Sequence, residues 1–332
     1  MSNATALHPH QDQTRQYHAW VLGRAGLDLY PQPDGCKTRD AESFSADLGG
    51  SAGNIAIAMA KAGSNVALIS GLSDDAVGDF VTRQLTDAGV DISLVTRTTG
   101  NERTSLAVAE VRIEDCEVVI YRNNPADLAF ELSDEIVTGV SQASNLVITG
   151  TVLIEEQARA NTIQLMQTAM QSKATVWFDL DYRAWNWPDI ETTREIYGFA
   201  ANHSDVIIGN EEEFAVLGDD FDTFVSRCQR NQQIVLLKRG AKGSTLFAGN
   251  ARLDSGIYPV AALKPYGSGD AFLGNLVAHY GRNGDWQQAI EAGSAAAALV
   301  VSRRGCGSAM PQPSQIKQMQ QETAMFPAPV WS

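Results

Sequence analysis

The sequence predicts an α/β fold: a doubly wound, mainly parallel sheet flanked by helices, with a small β lid. Three observations lead there. Short apolar runs alternate with amphipathic helical stretches along most of the chain, the rhythm of parallel strands joined by crossover helices. That rhythm breaks once, at β-rich runs on either side of Glu114-Asp115-Cys116-Glu117. A glycine-rich stretch, Lys264-Pro265-Tyr266-Gly267-Ser268-Gly269-Asp270, stands just ahead of a late helical pattern. With 332 residues and 44% hydrophobic content, the chain can bury a large core.

The elements follow in order. Residues 1–17 are polar, lack the apolar core of a signal peptide and are expected to form a disordered tail before a single domain over 18–325. Val21-Leu22-Gly23 opens as a strand, and Asp28-Leu29-Tyr30-Pro31 continues extended rather than helical. Asp28 then stands at a strand end, where an acidic residue is either a turn former or a ligand contact in an open α/β sheet. Gly49-Gly50-Ser51-Ala52-Gly53-Asn54 leads into a helix closing at Gly63. Its glycine spacing is not that of a dinucleotide fingerprint. Val66 to Ser70 reads as a buried strand and Asp75 to Ala88 as an amphipathic helix.

Thr104 to Ile113 and Val118 to Arg122 read as a hairpin outside the parallel sheet. With the extended stretch they define a lid over about 28–48 and 104–123, able to exclude water from a reacting group. Alternation resumes through strands at Leu146 to Gly150, Thr175 to Leu180, Val206 to Gly209 and Ile234 to Lys238. Asp179-Leu180-Asp181-Tyr182-Arg183 is a strand-end charge cluster whose arginine also suits an anionic substrate. In Asn210-Glu211-Glu212-Glu213 the acidic first turn suits the helix dipole as well as it suits a metal. Lys238-Arg239-Gly240-Ala241-Lys242-Gly243-Ser244 lacks the Gly-Lys-Ser core of a Walker A loop. Trp286 to Arg303 reads as an alanine-rich helix.

Charge and cysteines bound the partners. Twenty-five basic against 39 acidic residues leave a net charge of −14, with no basic cluster, so nucleic acid is not an expected partner. No apolar run reaches the ~20 residues of a membrane span, so no membrane contact is expected either. Cys36, Cys116, Cys228 and Cys306 lie far apart, suggesting neither disulfide nor zinc, and point to a reducing cytoplasm. The histidines show no metal or triad spacing.

The chemistry is expected at Gly267-Ser268-Gly269-Asp270. Glycines ahead of a helix N-terminus let the backbone approach an anion, and the unpaired N–H groups and dipole favour it there. Asp270 beside that anion hole is suited to take a proton from an attacking hydroxyl. A tight turn with an aspartate in the first helical turn is the simpler reading of the same residues.

Gly267-Ser268-Gly269-Asp270-Ala271-Phe272, with Gly49-Gly50 near the other end, resembles the two signatures of the ribokinase-like (PfkB) carbohydrate kinases. The resemblance spans about His18 to Pro311 and implies one kinase domain using ATP and Mg²⁺ on a small-molecule sugar substrate. It implies Asp270 as base with Gly267, Ser268 and Gly269 forming the anion hole, and Asp28, Gly50 and Asn54 on sugar hydroxyls. It further implies Lys238, Gly240, Gly243, Gly267 and Gly269 at the nucleotide, with Asn210 and Glu213 placing Mg²⁺ through water. The alanine-rich helix would wall the adenine.

Four stretches narrow the resemblance: Gly23 to Pro31, Tyr121 to Asp127, Asp179 to Arg183 and Lys264 to Asp270. They look most like family members acting on keto-deoxy sugar acids, in particular that of myo-inositol catabolism. In related members, arginines matching Arg122 and Arg183 face the substrate. The related 2-keto-3-deoxygluconate kinases, kinases of the neutral sugars fructose and ribose, and a non-catalytic sugar or nucleotide sensor on the same fold are the alternatives. Many members carry an aspartate helping to hold an activating K⁺ where this chain has Lys264, which implies independence from K⁺. Lids of the family can be completed by a partner subunit, which allows a homodimer.

Overall fold

The computed structural model describes residues 17–332. The tail expected over 1–17 therefore lies, except for Tyr17, outside the described residues.

In chain order, β1 (Tyr17–Leu22) is followed by β2 (Gly26–Gln32), β3 (Ser43–Gly49), α1 (Ser51–Lys61) and β4 (Val66–Ile69). Next, β5 (Gly71–Ser73) and β6 (Thr96–Thr98) flank α2 (Ala76–Asp87) and pair as a short ribbon. Then come β7 (Leu106–Ala109), β8 (Val118–Tyr121) and α3 (Asp134–Ser141). The central run is β9 (Ala143–Thr149), α4 (Glu156–Gln171), β10 (Thr175–Asp179), α5 (Ile190–Asn202) and β11 (Val206–Asn210). It continues as α6 (Glu211–Ala215), α7 (Phe221–Arg230) and β12 (Ile234–Lys238), then the hairpin β13 (Ser244–Ala248) and β14 (Ala251–Ser255). Last are α8 (Ser268–Asn283), α9 (Trp286–Val301), α10 (Pro313–Glu322) and β15 (Val330–Trp331).

The main sheet has the order β15-β14-β13-β12-β11-β10-β9-β1-β4. It is parallel from β12 to β4 and antiparallel at the β13, β14 and β15 edge. Residues alternate between its faces with period two. Val21, Leu68 and Ile208 pack under α1, α8 and α9, while Leu22, Ile69 and Ile207 pack under α3, α4 and α5. Each such side chain contributes about 1.5–3 kcal/mol by leaving water. Gly274 of α8 lies so close to α1 that a Cβ there would come within 2.5 Å of the Ala58 methyl. The two helices thus pack nearly backbone to backbone, which sets their first turns side by side.

The lid is a separate sheet of order β3-β2-β7-β8. Its hairpin pairs Leu106 with Tyr121 and Ala109 with Val118. Two boundaries differ from the expectation. The main sheet takes in Val330 and Trp331, which pair with Asp254 and Leu253, so the domain runs past residue 325. Tyr17 belongs to β1 rather than to the tail. All four cysteines are free, and no described helix is long and apolar enough to cross a membrane.

Candidate active site

The parallel strands end together on one side of the sheet. Asp179 closes β10, Asn210 closes β11, Lys238 closes β12, and Arg24 follows β1. This is the edge where open α/β sheets bind ligands. A cavity of about 410 Å³ sits over it, lined by these residues, by Asp28, Gly50, Asn54 and Arg183, and by the Pro265 to Asp270 loop. The lid roofs it with Ala107, Ala109, Val118 and Ile120. Tyr266 fastens roof to loop: it stacks on Tyr30 of β2 at 6.1 Å and donates its hydroxyl to the Glu110 carbonyl at 3.1 Å.

The helix ends at the cavity suit it to an anion. Side chains of Asp75, Ser133, Asp189, Asp220 and Asp285 cap α2, α3, α5, α7 and α9. By contrast α1 and α8 start at Gly50 and Gly267 with no capping side chain, and both starts line the cavity. N–H groups of both first turns are left for a ligand, apart from Gly53 N of α1, which donates to the Arg24 carbonyl. Gly267 has φ +82°, the left-handed region, and a Cβ there would approach Cys306 Sγ to 2.8 Å. Only glycine suits both constraints.

Asp270 lies in the first turn of α8. Asn54 Nδ2 donates to its Oδ2 at 2.9 Å. Burial, then the negative charge of Asp181, push its carboxyl up to about 7, against the Asn54 hydrogen bond and the pull of Lys238. Asp28 is buried, with Tyr30 donating to its Oδ2 at 3.2 Å. Burial raises its carboxyl and Arg24 opposes the rise. Asp28 Oδ1 and Asn54 Oδ1 are buried without a hydrogen-bond partner among the described residues, so each has an acceptor to offer a hydroxyl.

Across the cavity is a charge network. Lys238 Nζ stands 2.8 Å from Asp179 Oδ1 and 3.9 Å from Glu213 Oε2. Burial alone would lower the lysine, but Asp179 and Glu213 outweigh it and hold the ammonium charged. Arg183 places Nη2 2.7 Å from Asp181 Oδ1 and Nη1 3.6 Å from Glu213 Oε1. Asp181, then Glu213 once burial is offset, hold that guanidinium firmly charged. Asp181 adopts φ +38°, a conformation uncommon for a residue with a side chain and found where structure is fixed for a site.

Asn210 and Glu213 form a reciprocal capping box: Glu213 N donates to Asn210 Oδ1 at 2.9 Å and Asn210 N to Glu213 Oε2 at 2.8 Å. Among the described residues no three His, Cys, Asp or Glu side chains are arranged to hold a metal ion. This donor set fits a hydrated Mg²⁺ carried on phosphate oxygens rather than one caged by protein.

A second cavity of about 410 Å³ adjoins the first and shares Lys238, Gly240, Pro265, Ser268 and Gly269 with it. Gly243, Tyr258, Phe272, and Ala297, Ala298 and Val301 of α9 wall it, a mostly apolar slot suited to a flat base. Gly243, at φ +85°, is where a Cβ would fall 2.0 Å from the Ser255 carbonyl.

Of the sequence-predicted site residues, the first cavity gathers Asp28, Gly50, Asn54, Arg183, Asn210, Glu213, Lys238, Gly240 and Gly267 to Asp270, and Gly243 joins the second. Arg122 is not among the residues that line the first cavity. Its guanidinium is buried against the Asp127 carboxylate and donates to the Thr151 carbonyl at 3.2 Å. It faces a neighbouring cavity that shares only Ile120 with the first. A buried cation takes the nearest carboxylate, here five residues on. Arg24, Asp179 and Asp181 line the cavity without having been assigned a role. The strand-end argument that picks out Asp28 applies equally to them.

The family model for "pfkB family carbohydrate kinase" matches residues 18–313. A protein named 5-dehydro-2-deoxygluconokinase from Photobacterium profundum is 37% identical, over 90% of this chain and 93% of its own. One of the same name from Geobacillus kaustophilus is 34% identical, over 92% and 94%. Among solved structures, fructokinase with bound ATP from Xylella fastidiosa superposes with a TM-score of 0.82 at 23% identity, covering 92% of this chain and 99% of that one. A ribokinase II from E. coli in complex with ATP and Mg²⁺ gives 0.83 at 20% identity, with the same coverage. At such identities the likeness establishes the ribokinase-like fold.

Proposed function

The chain belongs to the pfkB family of carbohydrate kinases, and from that premise we propose that it transfers the γ-phosphoryl group of ATP to the terminal hydroxyl of 5-dehydro-2-deoxygluconate. The observation that carries this reading is Asp270. It stands at the uncapped start of α8, where the two cavities meet, with its carboxyl raised to about 7. A binder needs no base beside an anion hole.

The sugar occupies the first cavity, with Asp28 and Asn54 accepting from its hydroxyls and the Gly50 backbone alongside. The base and ribose of ATP occupy the second, between Gly243 and α9, and the phosphates cross at Gly240 and Lys238. The acceptor hydroxyl lies between Asp270 and the γ-phosphate. As its oxygen attacks in line, the proton passes to an Asp270 oxygen. N–H groups of Gly267, Ser268, Gly269 and Asp270 stabilise charge on the transferring group, where losing one donor costs ~3 kcal/mol. Glu213 and Asn210 are the residues that would hold Mg²⁺ through water, and the ion would neutralise charge on the phosphates. The lid excludes water as competing acceptor.

Phe44, Val119 and Tyr121 are exposed on the outer face of the lid, opposite Val118 and Ile120, which supports a homodimer through the lid. Sedimentation of the purified protein checks that part.

The test is ADP release with MgATP against 5-dehydro-2-deoxygluconate, 2-keto-3-deoxygluconate, fructose and ribose. Turnover highest on the first is expected. Preferred turnover of fructose or ribose would overturn the substrate, and ligand binding without any turnover would replace the enzyme with a sensor.

A further inference from the structure

We propose that Arg24 binds the carboxylate of the sugar-acid substrate and sets the preference for an acid over a neutral sugar. The inference rests on the reading above and extends it to a residue nothing else assigns. Acidic side chains crowd the cavity: Asp28, Asp179, Asp181, Glu213 and Asp270 all line it. An anionic substrate is best held there by a cation that has no direct ion-pair partner and keeps free N–H donors.

The other cations are spoken for. Arg122 is paired with Asp127 outside the cavity. Lys238 is paired with Asp179 and stands with the phosphate-side residues shared by both cavities. Arg183 lies between Asp181 and Glu213. Arg24 has no carboxylate within 4.0 Å among the described residues. Its side chain donates from Nη1 to the neutral Ser105 hydroxyl, at 3.2 Å. A guanidinium has five N–H donors, so most remain, in the fork geometry that matches a carboxylate.

The residue is also held in place. Its carbonyl accepts from Gly53 N at 3.1 Å, pinning it to the first turn of α1. The side chain lies over Gly26, where a Cβ would fall 3.2 Å from Nη1. Ser105 immediately precedes β7, so the guanidinium also braces the lid against the sheet. A carboxylate bound there lies beside Asp28, whose charge Arg24 already offsets.

The test compares wild type, Arg24→Gln and Arg24→Lys. With 5-dehydro-2-deoxygluconate and MgATP, Arg24→Gln should raise KM for the sugar acid on the order of 10²-fold, as for a lost hydrogen bond to a charged group, and leave KM for ATP within about twofold. Arg24→Lys should recover part of the loss. Calorimetry adds a readout free of turnover: wild type should bind D-gluconate more tightly than neutral D-glucitol, and Arg24→Gln should abolish that preference. A preference for gluconate unchanged in Arg24→Gln would overturn the assignment, as would equal losses for gluconate and glucitol. Absent turnover of every sugar acid by wild type would instead count against the kinase reading, with the calorimetric comparison still deciding the role of Arg24.

Discussion

Asn54 Nδ2 donates a hydrogen bond of 2.9 Å to Asp270 Oδ2, joining the first turns of α1 and α8 across 216 positions of sequence. It joins α1, whose start lines the first cavity, to the residue proposed as base. It also opposes the burial and the Asp181 charge that raise that carboxyl to about 7.

The pH profile follows from this. A base must be ionised to accept a proton, so a carboxyl at about 7 makes kcat/KM fall tenfold per unit below that pH and level off above it. Removing the hydrogen bond by Asn54→Ala removes a lowering influence, so the acid limb should move to higher pH. A profile flat from about pH 5.5 to 8 would contradict the assignment of Asp270.

Gly267→Ala should lose at least about 10²-fold in kcat, the scale of losing a donor to the transferring group. The substituted residue would need φ +82° and a Cβ 2.8 Å from Cys306 Sγ, so the loop must shift. Kinetics beside a melting curve separate this from unfolding: a folded variant with near-normal turnover would show that the loop geometry is not needed.

Lys264 is completely buried, with Nζ donating to the Tyr266 carbonyl at 2.7 Å and standing 4.0 Å from Cys306 Sγ. Burial lowers its pKa, against the attraction of Cys306 and Asp270. A positive charge held under the loop would repel a monovalent cation. Replacing choline or Tris with K⁺ in the assay buffer should leave the rate within about twofold. Strong activation by K⁺ would contradict this.

Asp127→Asn tests where Arg122 belongs. Breaking a buried pair and leaving its cation uncompensated costs about 3–5 kcal/mol, so the urea midpoint should fall markedly. KM for the sugar acid should change little in the protein that remains folded. A large KM effect with unchanged stability would return Arg122 to the substrate site.

What the sequence made legible is local. Strand ends such as Asp179 and Lys238, the glycine starts of α1 and α8, and the hairpin of the lid are each written in adjacent residues or in a two- or 3.6-residue period. What it hid depends on pairing at a distance. Asp47 of β3 accepts from the backbone of Cys306 and Ser308, fastening the lid's base to the turn after α9, and nothing near either residue announces it. Arg122 sits in a motif that suits substrate contact, yet lid geometry turns it toward Asp127. Arg24 stands at a strand end as Asp28 does, but its value is clear only once the other cations are found matched. β15 is two residues long, too short for any period.

The most direct test of the central claim is Asp270→Asn, which keeps the shape and removes the base. The account predicts native melting, ATP affinity within a few-fold of wild type and turnover of 5-dehydro-2-deoxygluconate reduced about 10²-fold or more. Turnover within about threefold of wild type, in a protein that binds ATP normally, would contradict it.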